Sequence, residues 1–328
     1  MKWVTSEQVE RWLGALAADY EVYAPTLLPD GTRTLAPLGS GPLSLAGGGV
    51  VGKPTGVFFP QWDLEFTYEG GRLDPGSAPS KPLLVAGYTA CDAAGLRFLD
   101  EFFSGDYCDE LYFRRRAGAV IIVVSGRCGA QGEFQKIAGA DCDLELVGEG
   151  QCFLAVAYTD RGREIEQRLE GEEAPAAALE VLQAESDALD AEFAELMQRA
   201  SQLLLEGAVP EEFWRAVADR CISCTGCNLV CPTCSCFEVF DRTEEAGVVR
   251  YRCWDSCQLD GFTREASQHN PRGEQWQRTR RRIHHKLAAD VERWGRITCV
   301  LCGRCDQVCP SGIGIQAVCR ALVEGYGP

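Results

Sequence analysis

Two short cysteine-rich stretches decide how the C-terminal part of this chain folds. They read Cys221-Ile-Ser-Cys224-Thr-Gly-Cys227-Asn-Leu-Val-Cys231-Pro232 and Cys299-Val-Leu-Cys302-Gly-Arg-Cys305-Asp-Gln-Val-Cys309-Pro310. In both stretches three cysteines recur at every third position, and a fourth cysteine follows and directly precedes a proline. This spacing is that of the bacterial ferredoxin runs, whose thiolates bind 4Fe-4S clusters.

The chemistry of a cubane explains this pattern. Its four irons each need one thiolate, and a tight turn that carries three spaced cysteines reaches three neighbouring corners. In two-cluster ferredoxins the last cysteine of each run binds the other cluster. The runs therefore predict one cluster on Cys221, Cys224, Cys227 and Cys309, and a second on Cys299, Cys302, Cys305 and Cys231. Structural zinc needs only two Cys-x-x-Cys pairs, so two complete runs ending in proline disfavour it.

The segment between the two runs is long and carries four more cysteines. It spans 66 residues, from Thr233 to Thr298, and helical patterns precede both runs, at 210–220 and 280–294. This favours an α-helical ferredoxin-like domain with an insertion. The additional cysteines are Cys234, Cys236, Cys253 and Cys257. They are candidates for a third centre, although their irregular spacing favours small buried side chains without metal.

Composition restricts the classes of protein to which the chain can belong. Its 328 residues are enough for two domains, and its formal net charge of −16 disfavours nucleic acid as a partner. Eighteen cysteines in a long chain without a visible secretory signal indicate metal ligation in a reducing compartment. No apolar run reaches the roughly 20 residues of a membrane-spanning helix, and we expect a cytoplasmic protein without a transmembrane segment.

The N-terminal half has a different pattern. Apolar runs at 82–87, 119–125 and 153–158 predict strands, and 93–103 predicts a helix. We therefore expect an α+β protein with a mixed α/β domain over 1–172, a long amphipathic linking helix over 173–207 and the ferredoxin-like dicluster domain over 208–328. Leu182, Leu189, Leu196 and Leu203 recur every seven residues, so a coiled-coil partner is an alternative to packing within the chain.

A basic segment interrupts this acidic sequence just before the second run. Its members are Arg278, Arg280, Arg281, Arg282, His284, His285 and Lys286. Three interpretations fit: a surface for an acidic redox partner, positive charge that offsets thiolate-ligated clusters, or a solvated helix face.

The spacing of several further motifs resembles a known family. Cys231-Pro-Thr-Cys-Ser-Cys236, Trp254-Asp-Ser-Cys257, His269-Asn-Pro-Arg272 and His285-Lys286, together with the second run, are similar to the iron-sulfur subunits of the family that includes those of anaerobic sulfite reductase and the sulfhydrogenase beta subunit. Cys91-Asp92, Asp109, Tyr112 and Arg114 extend the likeness into the N-terminal half. Relatives tend to have Cys-Phe-Cys shortly after the position of Cys128, where this chain has Glu-Phe-Gln; this departure argues against an additional N-terminal cluster.

The resemblance implies a subunit that passes electrons between a flavin-bearing partner, which meets NAD(P)H, and a catalytic partner of hydrogenase or sulfite reductase type. No Gly-x-Gly-x-x-Gly nucleotide motif is present. The leading hypothesis is an electron relay without substrate chemistry of its own. A redox enzyme that uses an additional cluster or a flavin on sulfur or thiol substrates is the alternative, and a structural or regulatory cluster-bearing subunit is a third possibility.

Overall fold

The structure is a computed structural model that describes residues 1–129, 131–189, 191–245 and 247–327. The chain divides into two compact units: an N-terminal unit of residues 1–59 and 76–190, and a C-terminal unit of residues 60–75 and 191–328. No helix in the described part of the chain is long and apolar enough to cross a bilayer.

The N-terminal unit is built on a mixed sheet. In chain order, the elements up to residue 189 are β1 (Lys2–Thr5), α1 (Ser6–Leu16), β2 (Glu21–Leu27), β3 (Arg33–Pro37), β4 (Trp62–Glu69), β5 (Arg72–Pro75), β6 (Leu83–Tyr88), α2 (Ala90–Phe103), α3 (Glu110–Arg116), β7 (Val120–Arg127), β8 (Phe134–Gln135), β9 (Leu144–Glu149), β10 (Cys152–Ala157), α4 (Asp160–Gln167), β11 (Glu172–Glu173) and α5 (Ala177–Ala188). Of these, β4 and β5 belong to the C-terminal unit. The sheet order is β11-β1-β10-β9-β7-β6-β2-β3, with β8 paired to β7.

The central strands of this sheet are parallel. β2, β6, β7 and β9 run in the same direction, and the outer pairs are antiparallel. Parallel strands covered on both faces have continuous apolar sequences rather than alternating ones. All positions of β7 from Val120 to Gly126 are accordingly buried. The strands predicted at 82–87, 119–125 and 153–158 are confirmed as β6, β7 and β10, and the predicted helix at 93–103 lies within α2.

The C-terminal unit combines helices with a small antiparallel sheet. Its remaining elements are α6 (Ala191–Leu205), α7 (Glu211–Asp219), α8 (Gly226–Leu229), β12 (Phe237–Thr243), β13 (Gly247–Trp254), α9 (Gln275–His284), a π-helical turn (His285–Ala289), α10 (Asp290–Trp294), α11 (Arg304–Gln307) and α12 (Ile315–Tyr326). Its sheet has the order β12-β13-β4-β5. Trp214, Ile283, Leu287 and Cys319 belong to the core on which these helices pack.

The single linking helix predicted over 173–207 needs a correction: Glu173 lies in β11, α5 ends at Ala188 and α6 begins at Ala191, and Asp190 between them lies outside the described residues. Leu182 packs in the N-terminal unit, whereas Leu196 packs against the core of the C-terminal unit and Leu203 is buried. Leu189 is 44% exposed. Three of the four leucines at seven-residue spacing thus have packing partners or burial within the chain, which favours internal packing over a coiled coil.

The predicted domain 1–172 needs one correction. Residues 60–75 form the hairpin β4–β5, which belongs to the C-terminal unit because β4 pairs with β13 in an antiparallel register. That pairing joins segments almost 190 residues apart along the chain, as in the Arg252–Asp63 contact. Such a distant pairing leaves no local signal in the sequence.

A buried ion pair fixes the pairing of β4 with β13. Arg252 donates from Nη2 to Oδ2 of Asp63 over 2.8 Å, and the side chains are 2% and 0% exposed. We expect Asp63→Asn to destabilise the C-terminal unit by about 3–5 kcal/mol, since it leaves a buried guanidinium without its counter-charge. The measurement is a drop in the urea midpoint of unfolding. Asp241→Asn, which breaks the exposed Arg250–Asp241 pair on the same sheet, is the control and should leave the midpoint nearly unchanged. Equal midpoints for both variants would contradict the prediction.

Candidate cluster-binding site

The two cysteine runs adopt the same uncommon backbone. Ser223 and Thr225 have φ values of 53° and 64°, and the matching positions Leu301 and Gly303 have φ values of 58° and 72°. Non-glycine residues rarely adopt this left-handed conformation, and a bulky one such as leucine does so only where its surroundings impose it. Turns that contain left-handed residues direct successive backbone N–H groups into a concavity that binds anions, including iron-sulfur clusters.

A short helix follows the turn in each run. α8 begins after Thr225 and carries Cys227, and α11 begins after Gly303 and carries Cys305. The backbone N–H of Asn228 donates to the carbonyl of Thr225 over 2.8 Å, and that of Asp306 to the carbonyl of Gly303 over 3.0 Å. Each helix ends just before the fourth cysteine, so the two runs are matched in geometry as well as in sequence.

The first candidate site brings together cysteines from both runs. Cys221, Cys224, Cys227 and Cys309 line one pocket, with Gln258, Thr279 and Arg282 as further lining residues. The backbone N–H of Ile313 donates to the sulfur of Cys309 over 3.4 Å, a contact that lowers the charge density on a ligating thiolate. Burial raises the pKa of the Cys227 thiol to about 11. A cluster bound here would supply the positive charge that holds this sulfur as a thiolate.

The second candidate site is more enclosed. The thiols of Cys299 and Cys305 both interact electrostatically with Cys231 from the first run, and burial raises the pKa of Cys299 well above its ordinary value and that of Cys305 to about 12. Cys302 is half-buried in the same turn as Cys299 and Cys305. Cys309 thus lies with the first three cysteines of the first run, and Cys231 lies near Cys299 and Cys305 of the second run.

The basic segment before the second run has one face directed at the cysteines. Arg278, Arg282 and Lys286 are spaced four apart, so they lie on the same side of α9 and its π-helical extension. Arg282, only 7% exposed, interacts electrostatically with Cys227 and Cys305, and thus with both sites. Burial disfavours the charged form of Lys286, but interaction with Cys231, Cys234 and Cys299 outweighs it and raises its pKa.

The π-helical turn His285–Ala289 holds the second run in position. The backbone N–H of Thr298 donates to the carbonyl of Lys286 over 3.1 Å, and the hydroxyl of Thr298 donates to the carboxylate of Asp290. Thr298 directly precedes Cys299, so these bonds fix where the second run begins. A single π turn inside an α-helix is rare and is often found at functional sites.

The opposite face of α9 lines an open cavity of about 290 Å³. Arg272, Arg280, Arg281 and His284 contribute positive or titratable groups, and Trp276 contributes an aromatic ring. Burial lowers the pKa of Arg281, with repulsion from Arg272 as the next cause, and burial together with Arg280 and Arg281 lowers the pKa of His284. The basic segment therefore has a cysteine-facing side at Arg282 and Lys286 and an outward-facing side at Arg280 and His284, while Arg281 lines the cavity and also interacts electrostatically with Cys257.

Three of the four cysteines in the insertion meet. Cys236 lies within hydrogen-bonding contact of Cys234 and Cys257. Cys253 lies apart from this group on β13, where its nearest charged neighbours are Glu238 and Asp255. The five N-terminal cysteines lie in the other unit, where Cys128 and Cys142 are buried and Cys108 is exposed.

The donor set fits iron-sulfur clusters better than single ions. Among the described residues, no three His, Cys, Asp or Glu side chains converge on one ion position. Two sets of four thiols, each beside a turn with left-handed residues and a buried cation, are the surroundings that such a group requires.

Several residues around the sites could not have been identified from the sequence. Gln258 accepts from the thiol of Cys221 at 3.9 Å and donates to the carbonyl of Arg278 over 2.8 Å. Asn228 donates to the hydroxyl of Ser256 over 2.8 Å and to the sulfur of Cys257 over 3.3 Å. Neither lies in a spacing pattern. The four-residue spacing of Arg278, Arg282 and Lys286 was the one available signal for the cation-bearing face.

Comparison with known proteins agrees with this geometry. The family model for a 4Fe-4S dicluster domain matches residues 220–313. Sulfhydrogenase 2 subunit beta from Pyrococcus furiosus is 30% identical over 254 residues, covering 74% of this chain and 74% of that protein. No solved structure matches the chain. The C-terminal unit thus carries a dicluster domain with two 4Fe-4S clusters.

Proposed function

Because the chain belongs to the iron-sulfur subunit family that includes the sulfhydrogenase beta subunit, we propose that it relays electrons between a flavin-bearing partner that meets NAD(P)H and a catalytic subunit of hydrogenase or reductase type. The observation that supports the proposal is the meeting of the two runs: Cys309 lines the pocket of the first run, and Cys231 lies near Cys299 and Cys305 of the second. When bound, each 4Fe-4S cluster accepts and donates single electrons.

The residues around the sites support a relay. Cys221, Cys224, Cys227 and Cys309 would hold one cluster, and Cys299, Cys302, Cys305 and Cys231 the other. Arg282 interacts with a cysteine of each set, so one buried charge acts on both sites. Cys224 is exposed, so a partner can approach the first site.

The proposed docking surface is the open cavity beside α9, defined by Arg272, which precedes the helix, and by Arg280, Arg281 and His284. Its positive charge is unusual on a chain with a formal net charge of −16. Complementary charge steers association and sets its salt dependence more than it sets affinity. We propose that an acidic segment of the flavin-bearing partner docks here, on the helix whose inner face carries Arg282 toward both sites.

The test is the rate at which the flavin-bearing partner, isolated from the native anaerobic complex, reduces the two clusters. We expect Arg280→Glu to slow this reduction about tenfold at low ionic strength and the difference to shrink as salt is added. Arg242→Glu, the same charge change on the exposed strand β12, is the control. Iron content should be unchanged in both variants.

Two results would count against the proposal. Equal rates for Arg280→Glu and Arg242→Glu would remove the docking surface while leaving the relay in place. Failure of the wild-type clusters to be reduced on the timescale of turnover would remove the relay itself and favour a structural or regulatory role for the protein.

A further inference from the structure

We propose that the strand β12 is a self-association edge, at which two copies of the chain pair in antiparallel orientation about Phe240. The two four-stranded sheets would then form one continuous sheet of eight strands. The proposal goes beyond the relay, which needs only the two cysteine sites of a single chain. Three features of β12 support it: the direction of its backbone groups, the order of its charges and the aromatic side chains beside it.

β12 is an exposed end of its sheet. It comes first in the strand order β12-β13-β4-β5, and all of its residues are exposed except Phe240, which is half-buried. β5 at the other end has only four residues and ends in Pro75, and short strands and prolines limit pairing at an edge. β12 has seven residues and no proline. Of the two ends of this sheet, β12 is therefore the one that can pair with a further strand.

The hydrogen bonds between β12 and β13 show which backbone groups point outward. At one end of this pairing the N–H of Asp255 donates to the carbonyl of Cys236 over 3.1 Å, and at the other the N–H of Glu244 donates to the carbonyl of Gly247 over 2.8 Å. Residues of an antiparallel strand alternate in the side to which their N–H and C=O groups point. The even-numbered residues of β12 therefore bond to β13, and the odd-numbered ones, such as Val239, direct both groups toward the open edge.

The charges of β12 favour one register. Pairing about Phe240 places Glu238 of one copy opposite Arg242 of the other, and the twofold symmetry makes this pair occur twice. Opposite charges directly across an antiparallel pair stabilise it, and like charges destabilise it. A twofold centre at the next residue on either side loses both pairs, and a centre at residue 241 brings Glu238 opposite Glu244. The charge order therefore matches a second copy of the same strand.

Both charged side chains are accessible to a second copy. The side chain of Arg242 is 69% exposed, and its 3.8 Å contact with Glu244 of the same chain joins two exposed groups. Exposed ion pairs of this kind contribute little, so Arg242 can exchange this contact for a cross-strand pair. Glu238 is exposed on the same face of the sheet, because it is two residues from Phe240 and four from Arg242.

An aromatic cluster on that face adds apolar area to the contact. Phe240 lies opposite Tyr251 in the sheet, and their ring centroids are 5.8 Å apart. The ring of Trp62 on β4 lies 5.7 Å from that of Phe240, and Trp62 is 61% exposed. In the proposed register Phe240 faces its counterpart as a non-hydrogen-bonded pair, in which the side chains approach closely. The aromatic clusters of the two copies would thus join across the twofold axis.

The test measures the association state of the full chain, loaded with its clusters under anaerobic conditions, by sedimentation equilibrium over a range of protein concentrations. An ionic strength of about 0.15 M screens the repulsion between two chains of net charge −16. We expect a reversible dimer. Glu238→Arg and Arg242→Glu should each raise its dissociation constant at least about tenfold, because each turns two attractive pairs into repulsive ones. The double variant should restore the wild-type value, because exchanging the two charges keeps both pairs attractive.

A variant without a change of charge tests the backbone pairing. Val239→Pro removes an N–H that points to the open edge and leaves the bonds to β13 intact, so it should weaken the dimer while the chain stays folded. Glu69→Arg, an equal charge change on the interior strand β4, is the control and should keep wild-type association. Iron content and the urea midpoint of the same samples verify that each variant is folded.

Three results would overturn the proposal. A wild-type chain that stays monomeric at all concentrations would exclude the dimer; if Glu238→Arg then released a partner subunit from the native complex, the edge would bind a strand of that subunit instead. A dimer that none of the β12 variants weakens would form elsewhere on the molecule. A double variant as weak as the single ones would contradict the register about Phe240.

The relay is tested separately from the dimer. Each chain carries both cysteine sites and the docking surface beside α9, so loss of the dimer should leave the rate of cluster reduction unchanged. A slow or absent reduction of the clusters would count against the relay and leave the association equilibrium as it is.

Discussion

Replacing Cys309 by serine is expected to remove the same cluster as replacing Cys224, not the cluster that depends on Cys302. The reason is the crossed arrangement: Cys309 lines the pocket of Cys221, Cys224 and Cys227, and Cys231 lies with Cys299 and Cys305. Each single variant should lose about four irons per chain. The EPR signal of the reduced protein identifies which cluster is lost.

Double variants make this test independent of spectral assignment. Cys224→Ser with Cys309→Ser should lose no more iron than either change alone, because both act on one cluster. Cys302→Ser with Cys309→Ser should lose about eight irons per chain. The reverse pattern, additive loss in the first pair and no further loss in the second, would show that each run holds its own cluster.

The two cysteine turns were predictable from the sequence because each of them is local. Within each run, the spacing and the proline fix which residues form the turn, and the general chemistry of two-cluster ferredoxins assigns the fourth cysteine. The left-handed backbone at Ser223 and Leu301 was not accessible, since neither serine nor leucine favours that conformation by itself. That conformation arises from the demands of the site, not from residue preference.

The grouping of Cys234, Cys236 and Cys257 in the insertion, by contrast, was not predictable from the sequence. Cys253 and Cys257 are four apart and read as equivalent candidates, yet only Cys257 joins Cys234 and Cys236. The difference depends on where β13 ends and on how it pairs with β12, which are non-local properties. The same limit applies to residues 60–75, whose place beside β13 depends on a pairing between distant segments.

The role of the basic segment was predictable from the sequence in part. A four-residue spacing placed Arg278, Arg282 and Lys286 on one helical face, but the sequence did not indicate which face meets the cysteines. In the fold, Arg278 is held by the carbonyls of Gln258, Arg272 and Gly273, whereas Arg282 and Lys286 act on the sites. Charge compensation and partner docking were alternatives from sequence; in the fold Arg282 and Lys286 lie near the cysteines, and the proposed docking surface lies on the other side of the helix.

The second large effect that we expect is on the reduction potentials of the two clusters, because Arg282 and Lys286 lie near the cysteines. A buried cation stabilises the more negative, reduced form of a nearby cluster, so its removal should lower the potential. For charges several ångströms apart at an effective dielectric near 20, the interaction is about 1–3 kcal/mol. For a one-electron couple this corresponds to roughly 40–130 mV.

We expect Arg282→Met to lower the potentials of both clusters, because Arg282 interacts with Cys227 of one set and Cys305 of the other. Lys286→Met should lower only one of them, because Lys286 interacts with Cys231 and Cys299, which belong to the same set in the crossed arrangement. An EPR-monitored redox titration of fully loaded protein measures both potentials, and Arg282→Lys, which keeps the charge, controls for lost packing. A shift of both potentials in Lys286→Met would contradict this assignment, because Lys286 would then act on both sets of cysteines. A shift of neither potential in Arg282→Met would also contradict it, because Arg282 would then not act through its charge.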